Sequence, residues 1–181
     1  MHSLGSGYRF GCSYWWEHWL DPRTYYYYVK YKIQRANRGW ANCDTWSLDN
    51  YLSEWLPDAL RHLKANQHGY PPDMYEPGEA TEENNYWPGE EAEKRAIKKW
   101  EGIVDKMIMG FEAYNRMQQG LYEDELGPYP SLTGDFLDRL NNPTEEEKER
   151  FEKSRELEKR DQKIFQEGAE LFIKHFQSLW D

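Results

Sequence analysis

The sequence predicts an all-α bundle of four or five helices, joined by long aromatic-rich and Pro/Gly-rich loops and closed by a long C-terminal helix. Three observations carry this. Apolar residues recur at three- and four-residue spacing from Leu48 to Leu63 and again from Ala96 to Tyr114. Thr144 with Glu147 three residues later forms a capping box ahead of a proline-free stretch that extends to Asp181. No set of alternating segments supplies the several strands that a stable sheet needs.

The elements follow in order within a single helical domain spanning 1–181. Residues 1–23, with Gly5, Gly7 and Gly11 before Tyr14, Trp15, Trp16 and Trp19, show no sustained period and read as an aromatic N-terminal arm. From Thr24 to Arg38 two periods compete. Val29, Tyr31 and Ile33 alternate with Lys30, Lys32 and Gln34 as a strand would, whereas Tyr26, Val29 and Ile33 form a helical stripe. The lack of partner strands elsewhere favours helix. Leu48, Leu52, Trp55, Leu56, Leu60 and Leu63 define the next amphipathic helix, which starts between Asp44 and Ser47. Pro57 is expected to kink or restart it, because it lacks an amide proton and clashes with the preceding turn.

Residues 69–91 hold four prolines and seven acids and read as an extended acidic loop. The following helix contains Gly110, which costs about 1 kcal/mol relative to Ala and so calls for close packing against a neighbour. A Gly- and Pro-containing loop from Gly120 to Pro130 and a short apolar run over Phe136 to Leu140 precede the C-terminal helix, expected over 144–181. Its first half is almost wholly charged. Its second half carries Ile164, Phe165, Leu171, Phe172, Phe176 and Trp180, a stripe suited to a core or a dimer contact. Leu157, Ile164 and Leu171 stand seven apart, but Asp161, Gly168 and His175 make poor partner positions for a coiled coil.

The 181 residues have a mean hydropathy of -1.09, low enough to signal disorder were it not for nine Trp and fourteen Tyr. Each buried aromatic removes about 150 to 250 Å² from water, so a core remains attainable. The net charge of -10 is unevenly placed. Residues 1–67 carry eight Lys and Arg against six Asp and Glu, and the remainder carries fifteen against twenty-seven. That balance disfavours nucleic acid and anionic membrane as partners for the acidic portion. Two cysteines, Cys12 and Cys43, are too few for a disulfide framework, and no apolar run spans a bilayer. The expected setting is a cytoplasm.

The order Arg38-Gly39-Trp40 through Asp44, Trp46 and Leu48, the helix continuing to His68-Gly69-Tyr70-Pro71, and the terminal run Glu167-Gly168-Ala169-Glu170-Leu171-Phe172 to Ser178-Leu179-Trp180-Asp181 resemble small, mainly helical accessory proteins of tailed bacteriophages. The resemblance covers about half of the chain. It implies a phage origin and a host bacterial cytoplasm, and it brings no catalytic assignment.

The stretch from Arg38 to Tyr51 gathers the residue types of a nucleotide-like pocket. Trp40 or Trp46 would stack on a base, Arg35 and Arg38 would meet phosphates, and Asp44 or Asp49 would accept a ribose hydroxyl, with Tyr51 completing the wall. The competing reading is structural. Asp44 would cap the helix, Gly39 would supply an unusual backbone angle, and both indoles would fill the core.

Cys12, His18, Cys43, His62 and His68 lack the spacing of a zinc site. Glu90 with Glu93, or Asp44 with Asp49, would suit the Mg²⁺ site of an all-α pyrophosphohydrolase, but acids this frequent form such pairs by chance. No phosphate loop or nucleophile motif is present, and nothing calls for a cofactor. The expectation is therefore a non-enzymatic phage accessory protein, a homo-oligomer that binds a small nucleotide-like ligand and sequesters a host immune signal. The alternative is an inhibitor of a host defence protein acting through its acidic helix and loop.

Overall fold

The computed structural model describes residues 22–84, 86–127 and 143–180. Nearly all of the expected N-terminal arm, Cys12, His18 and the run from Phe136 to Leu140 lie outside the described residues. The chain is all-α. Among the described residues there are five α-helices and no strand: α1 (Pro22–Arg38), α2 (Leu48–Asn66), α3 (Glu90–Gln119), α4 (Glu123–Leu126) and α5 (Glu145–Lys174). Thr24 to Arg38 is helix, as the stripe of Tyr26, Val29 and Ile33 predicts. Among the described residues no helix is long and apolar enough to cross a membrane.

The chain divides into two compact units, Met1–Trp55 and Leu56–Asp181. In the first, α1 ends where Gly39 takes φ 80° and its amide donates to Arg35 O at 2.9 Å, a left-handed stop that glycine adopts without strain. The residues that this unit buries, among those described, are Ala41, Asp44 and Ser53.

In the second unit Leu60, Met74, Ala96, Trp100, Val104, Met107 and Ile108 form the core. Helices α3 and α5 lie antiparallel. Arg116 meets Asp161 near one end, Gly110 faces Gly168, and the Trp100 ring stands edge-on to His175 at 5.4 Å near the other. A Cβ on Gly168 would fall 2.7 Å from Gly110 Cα and 2.7 Å from Lys106 O, so this crossing admits only glycine. The positions that look unsuited to a coiled coil, Asp161, Gly168 and His175, are all buried. They face α3 within the same chain, where each has a partner shaped to it.

Two expectations are corrected, a restart of α2 at Pro57 and the end of the C-terminal helix. Helix α2 does not restart at Pro57: it runs unbroken from 48 to 66, with Pro57 buried and Leu56 and Leu60 packed in the core, and this packing offsets the missing backbone bond. The C-terminal helix stops at Lys174, and a 3-10 turn over Phe176–Ser178 follows, because His175 leaves helical geometry and settles against Trp100. Phe172 packs on the core while Phe176 and Trp180 remain exposed, so the terminal stripe is buried only in its first part. The loop over 69–91 carries 3-10 turns at Pro72–Met74 and Glu82–Asn84. Met74 anchors it in the core and Lys99 Nζ donates to Met74 O at 3.3 Å.

The capping box is as predicted. The Thr144 hydroxyl accepts from Glu147 N at 3.3 Å, and the Glu147 carboxylate accepts from Thr144 N at 2.9 Å.

Candidate recognition surface

The turn over 39–47 is built around one carboxylate. Asp44 Oδ2 accepts from Arg35 Nε at 3.0 Å and from the Ala41 amide at 2.7 Å, while Oδ1 accepts from Arg35 Nη2 and from Cys43 Sγ at 3.5 Å. Burial pushes the Asp44 carboxyl up, but the Arg35 and Ala41 hydrogen bonds outweigh it and hold the group below the usual carboxylate range. Two further bonds fasten the turn: Asn42 N donates to Gln34 Oε1 at 2.9 Å, and the Tyr51 hydroxyl donates to Gly39 O at 2.8 Å. Burial, then the nearby Asp44 charge, raises the Tyr51 phenol.

This geometry sorts the seven predicted ligand residues. Arg35 and Asp44 pair with each other, Asp44 accepts the Ala41 amide and Tyr51 donates to Gly39 O, so these three form the frame of the turn. Arg38, Trp40, Trp46 and Asp49 face outward. The Arg38 guanidinium lies 3.7 Å over the Trp40 ring, with Nε donating to Trp40 O at 2.9 Å and Nη2 to Asn42 Oδ1. Trp46 is 92% exposed and Trp40 41% exposed, so the indoles do not fill a core. Asp44 does not cap α2 either, since that helix opens at Leu48 and the carboxylate serves the Ala41 amide. Asn50 Oδ1 is buried with no hydrogen-bond partner.

The outward surface is wider than the predicted cluster. On α1, Tyr25, Tyr26, Val29 and Ile33 are exposed, and at the start of α2 so are Leu48, Leu52 and Trp55. Both apolar stripes were legible as amphipathic faces; that of α1 and the first two turns of that of α2 are exposed, while Leu56 and Leu60 of α2 pack in the core. Helix α1 also carries five basic residues and no acid, a pattern hidden by the whole-chain charge.

In the second unit, sequence reasoning missed the grouping of Arg116, Tyr122 and Arg160 around Asp161, which is 0% exposed. Arg116 donates to it at 2.8 and 3.1 Å, Arg160 at 3.1 Å and the Tyr122 hydroxyl at 3.3 Å. Burial, then Asp161, pushes the Tyr122 phenol up to about 12. No local signal marks this grouping, because its members are 39 and 45 residues from Asp161 apart from the adjacent Arg160. A shallow groove of about 570 Å³ is lined by Arg61, Lys64, Ala65, Asp105, Ile108 and Met109, but its cations are paired with Asp58, Glu112 and Asp105.

Of the carboxylate pairs offered for Mg²⁺, Glu90 pairs with Lys94 at 2.7 Å and Asp44 with Arg35. Among the described residues no three His, Cys, Asp or Glu side chains converge on a possible metal position. No protein-family model, curated protein or solved structure matches the chain.

Proposed function

We propose that the chain is a non-enzymatic accessory protein of the tailed-phage type it resembles, and that it acts by engaging a protein partner through its first unit. One observation carries this reading. Two amphipathic stripes, Tyr26/Val29/Ile33 and Leu48/Leu52/Trp55, are exposed together with Trp46. Apolar surface left open on this scale marks an interaction site, and Trp, Tyr and Arg are the residues that dominate binding hot spots. A host defence factor is the partner that the phage resemblance favours.

The test is native mass spectrometry of the protein recovered from phage-challenged bacterial lysate, beside a Trp46→Ala/Trp55→Ala variant. The expected result is a stoichiometric host polypeptide on the wild type, absent from the variant, with unchanged far-UV circular dichroism. Retention by the variant, with loss instead on reversing the exposed Glu149, Glu152 and Glu156 to Lys, would move recognition to the acidic helix.

A second reading is favoured by the Arg38–Trp40 stack beside Trp46. A planar anionic ligand such as a nucleotide would stack on the open indole and pair with the guanidinium, sequestering a host signal. Quenching of Trp fluorescence by mononucleotides, lost in Trp46→Ala, supports it, and a flat titration removes it.

A further inference from the structure

We propose that the exposed face of α1 is a docking surface for an acidic amphipathic helix of the protein partner, an assignment that rests on the protein-binding reading above. At 100° per residue Tyr25, Val29 and Ile33 follow one another at four-residue spacing along one face, with Tyr26 beside them. Their exposures, 56%, 53%, 54% and 63%, show an amphipathic stripe that no described residue covers. Lys30 and Lys32 fall on opposite flanks of that stripe.

The charge of α1 chooses the occupant. Arg23, Lys30, Lys32, Arg35 and Arg38 are met by no acid within the helix, although the chain as a whole is at -10. Arg35 is taken up by Asp44. The ammonium groups of Lys30 and Lys32 instead lean on tyrosines, Lys30 at 5.7 Å from the Tyr26 and Tyr27 centroids and Lys32 at 4.4 Å from that of Tyr28. Held there without an acid in the helix, they frame the stripe with positive charge on both sides.

The complement is an apolar ridge flanked by carboxylates, the pattern of an acidic amphipathic helix lying along α1. The stripe centre is aliphatic, Val29 and Ile33, which suits the interlocking of side chains between helices better than the stacking of bases. A bilayer would favour larger apolar bulk than one Val and one Ile supply.

Fluorescence anisotropy with four probes tests this on the full chain: a synthetic Glu/Leu amphipathic helix, its Lys/Leu counterpart of identical apolar pattern, oligothymidylate, and phosphatidylserine vesicles. The acidic peptide is expected to bind on the order of tenfold more tightly than the basic one, the size that follows when two exposed attractive contacts become repulsive. The Lys30→Glu/Lys32→Glu variant is expected to reverse that preference, a gain of binding that a misfolded protein could not show. Val29→Asp should abolish both.

Equal binding of the two peptides, or no reversal in the charge-swapped variant, overturns the proposal. So does binding of oligothymidylate or vesicles that is stronger than that of the acidic peptide and is lost in the same variant. If the peptides fail while a host polypeptide is still captured through Trp46 and Trp55, the protein-binding reading stands and the choice of α1 and of acidic chemistry falls.

Discussion

Asp44 and Asp161 are both buried carboxylates gripped by an arginine through two hydrogen bonds, and the two clamps serve different ends. Every partner of Asp44 lies within nine residues of it, so the clamp closes one turn against the end of α1. The partners of Asp161 come from α3, from the segment leading into α4 and from α5 itself, so that clamp holds separate elements in place. Arg160 extends it, donating to both oxygens of Glu125 at 2.9 and 3.0 Å. A local clamp fixes the shape of a surface, whereas a long-range one fixes packing. The surroundings agree: apolar stripes near Asp44 are exposed, and those near Asp161 are covered.

The largest expected effect is that of Asp161→Ala. It strands the Arg116 guanidinium and the Tyr122 phenol, while Arg160 keeps its two bonds to Glu125, and removing one side of a buried pair costs about 3 kcal/mol or more. The lower end applies because water reaches Arg116 and Arg160, whose side chains are 35% and 44% exposed. Urea denaturation followed at α-helical wavelengths measures it. A loss no greater than that of an exposed substitution would break the comparison.

Next comes the glycine crossing. Gly168→Ala places a methyl within 2.7 Å of Gly110 Cα and Lys106 O, and because the obstruction is backbone the helices must separate. Overpacking of this kind costs about 1 to 3 kcal/mol. Gly102→Ala, on the same helix as Gly110 but with open space around it, is the control and should be neutral or stabilising.

Asp44→Ala sharpens the comparison from the other side. Loss of hydrogen bonds to a charged group costs about 2 kcal/mol. The loss should be local, so hydrogen exchange is expected to rise at the Ala41 amide and across 39–47 while α3 and α5 keep their protection. Equal loss of protection in α3 and α5 would show that this clamp also holds distant packing.

A smaller effect belongs to His175. Burial holds its imidazole below the ordinary 6.5, with Asp73 at 4.0 Å opposing that shift and Lys174 adding to it. Its Nε2 is buried with no partner. The unfolded chain therefore takes up a proton near 6.5 while the folded chain resists it, so stability is full above about 6.5 and falls as pH drops below that value. His175→Phe keeps a ring against Trp100 and is expected to flatten the part of the pH dependence that begins there. A pH profile identical to wild type would remove His175 as its source. The smallest effect on stability is that of Trp46→Ala, within about 0.5 kcal/mol because the indole is exposed, and its consequence should appear in binding alone.

Much of the helical layout was legible because it depends on near neighbours. The capping box of Thr144 and Glu147, the five-turn period through Trp100, Val104 and Phe111, and the close-packing demand at Gly110 all act within a few residues or along one helix face. The candidate site was legible only in part. Residue types between Arg38 and Tyr51 showed that a polar and aromatic cluster exists, but not that Arg35 and Asp44 would join each other rather than a ligand. At Pro57, local sterics predicted a kink or a restart, and with Leu56 and Leu60 held in the core the helix does not restart.

From sequence alone came the all-α class, the faces on which apolar residues fall, and the separation of a slightly basic stretch over 1–67 from an acidic remainder. Periodicity and capping depend on spacing along the chain, so they need no knowledge of the rest of the fold. Only the tertiary structure decided which apolar faces are covered. The stripe of α2 is exposed at Leu48, Leu52 and Trp55 and buried at Leu60, though its period never changes. Likewise Asp161, Gly168 and His175 look like interruptions until α3 lies against them. Burial depends on what another segment brings to a face, and a contact between residues 45 apart leaves no trace in the spacing of either one.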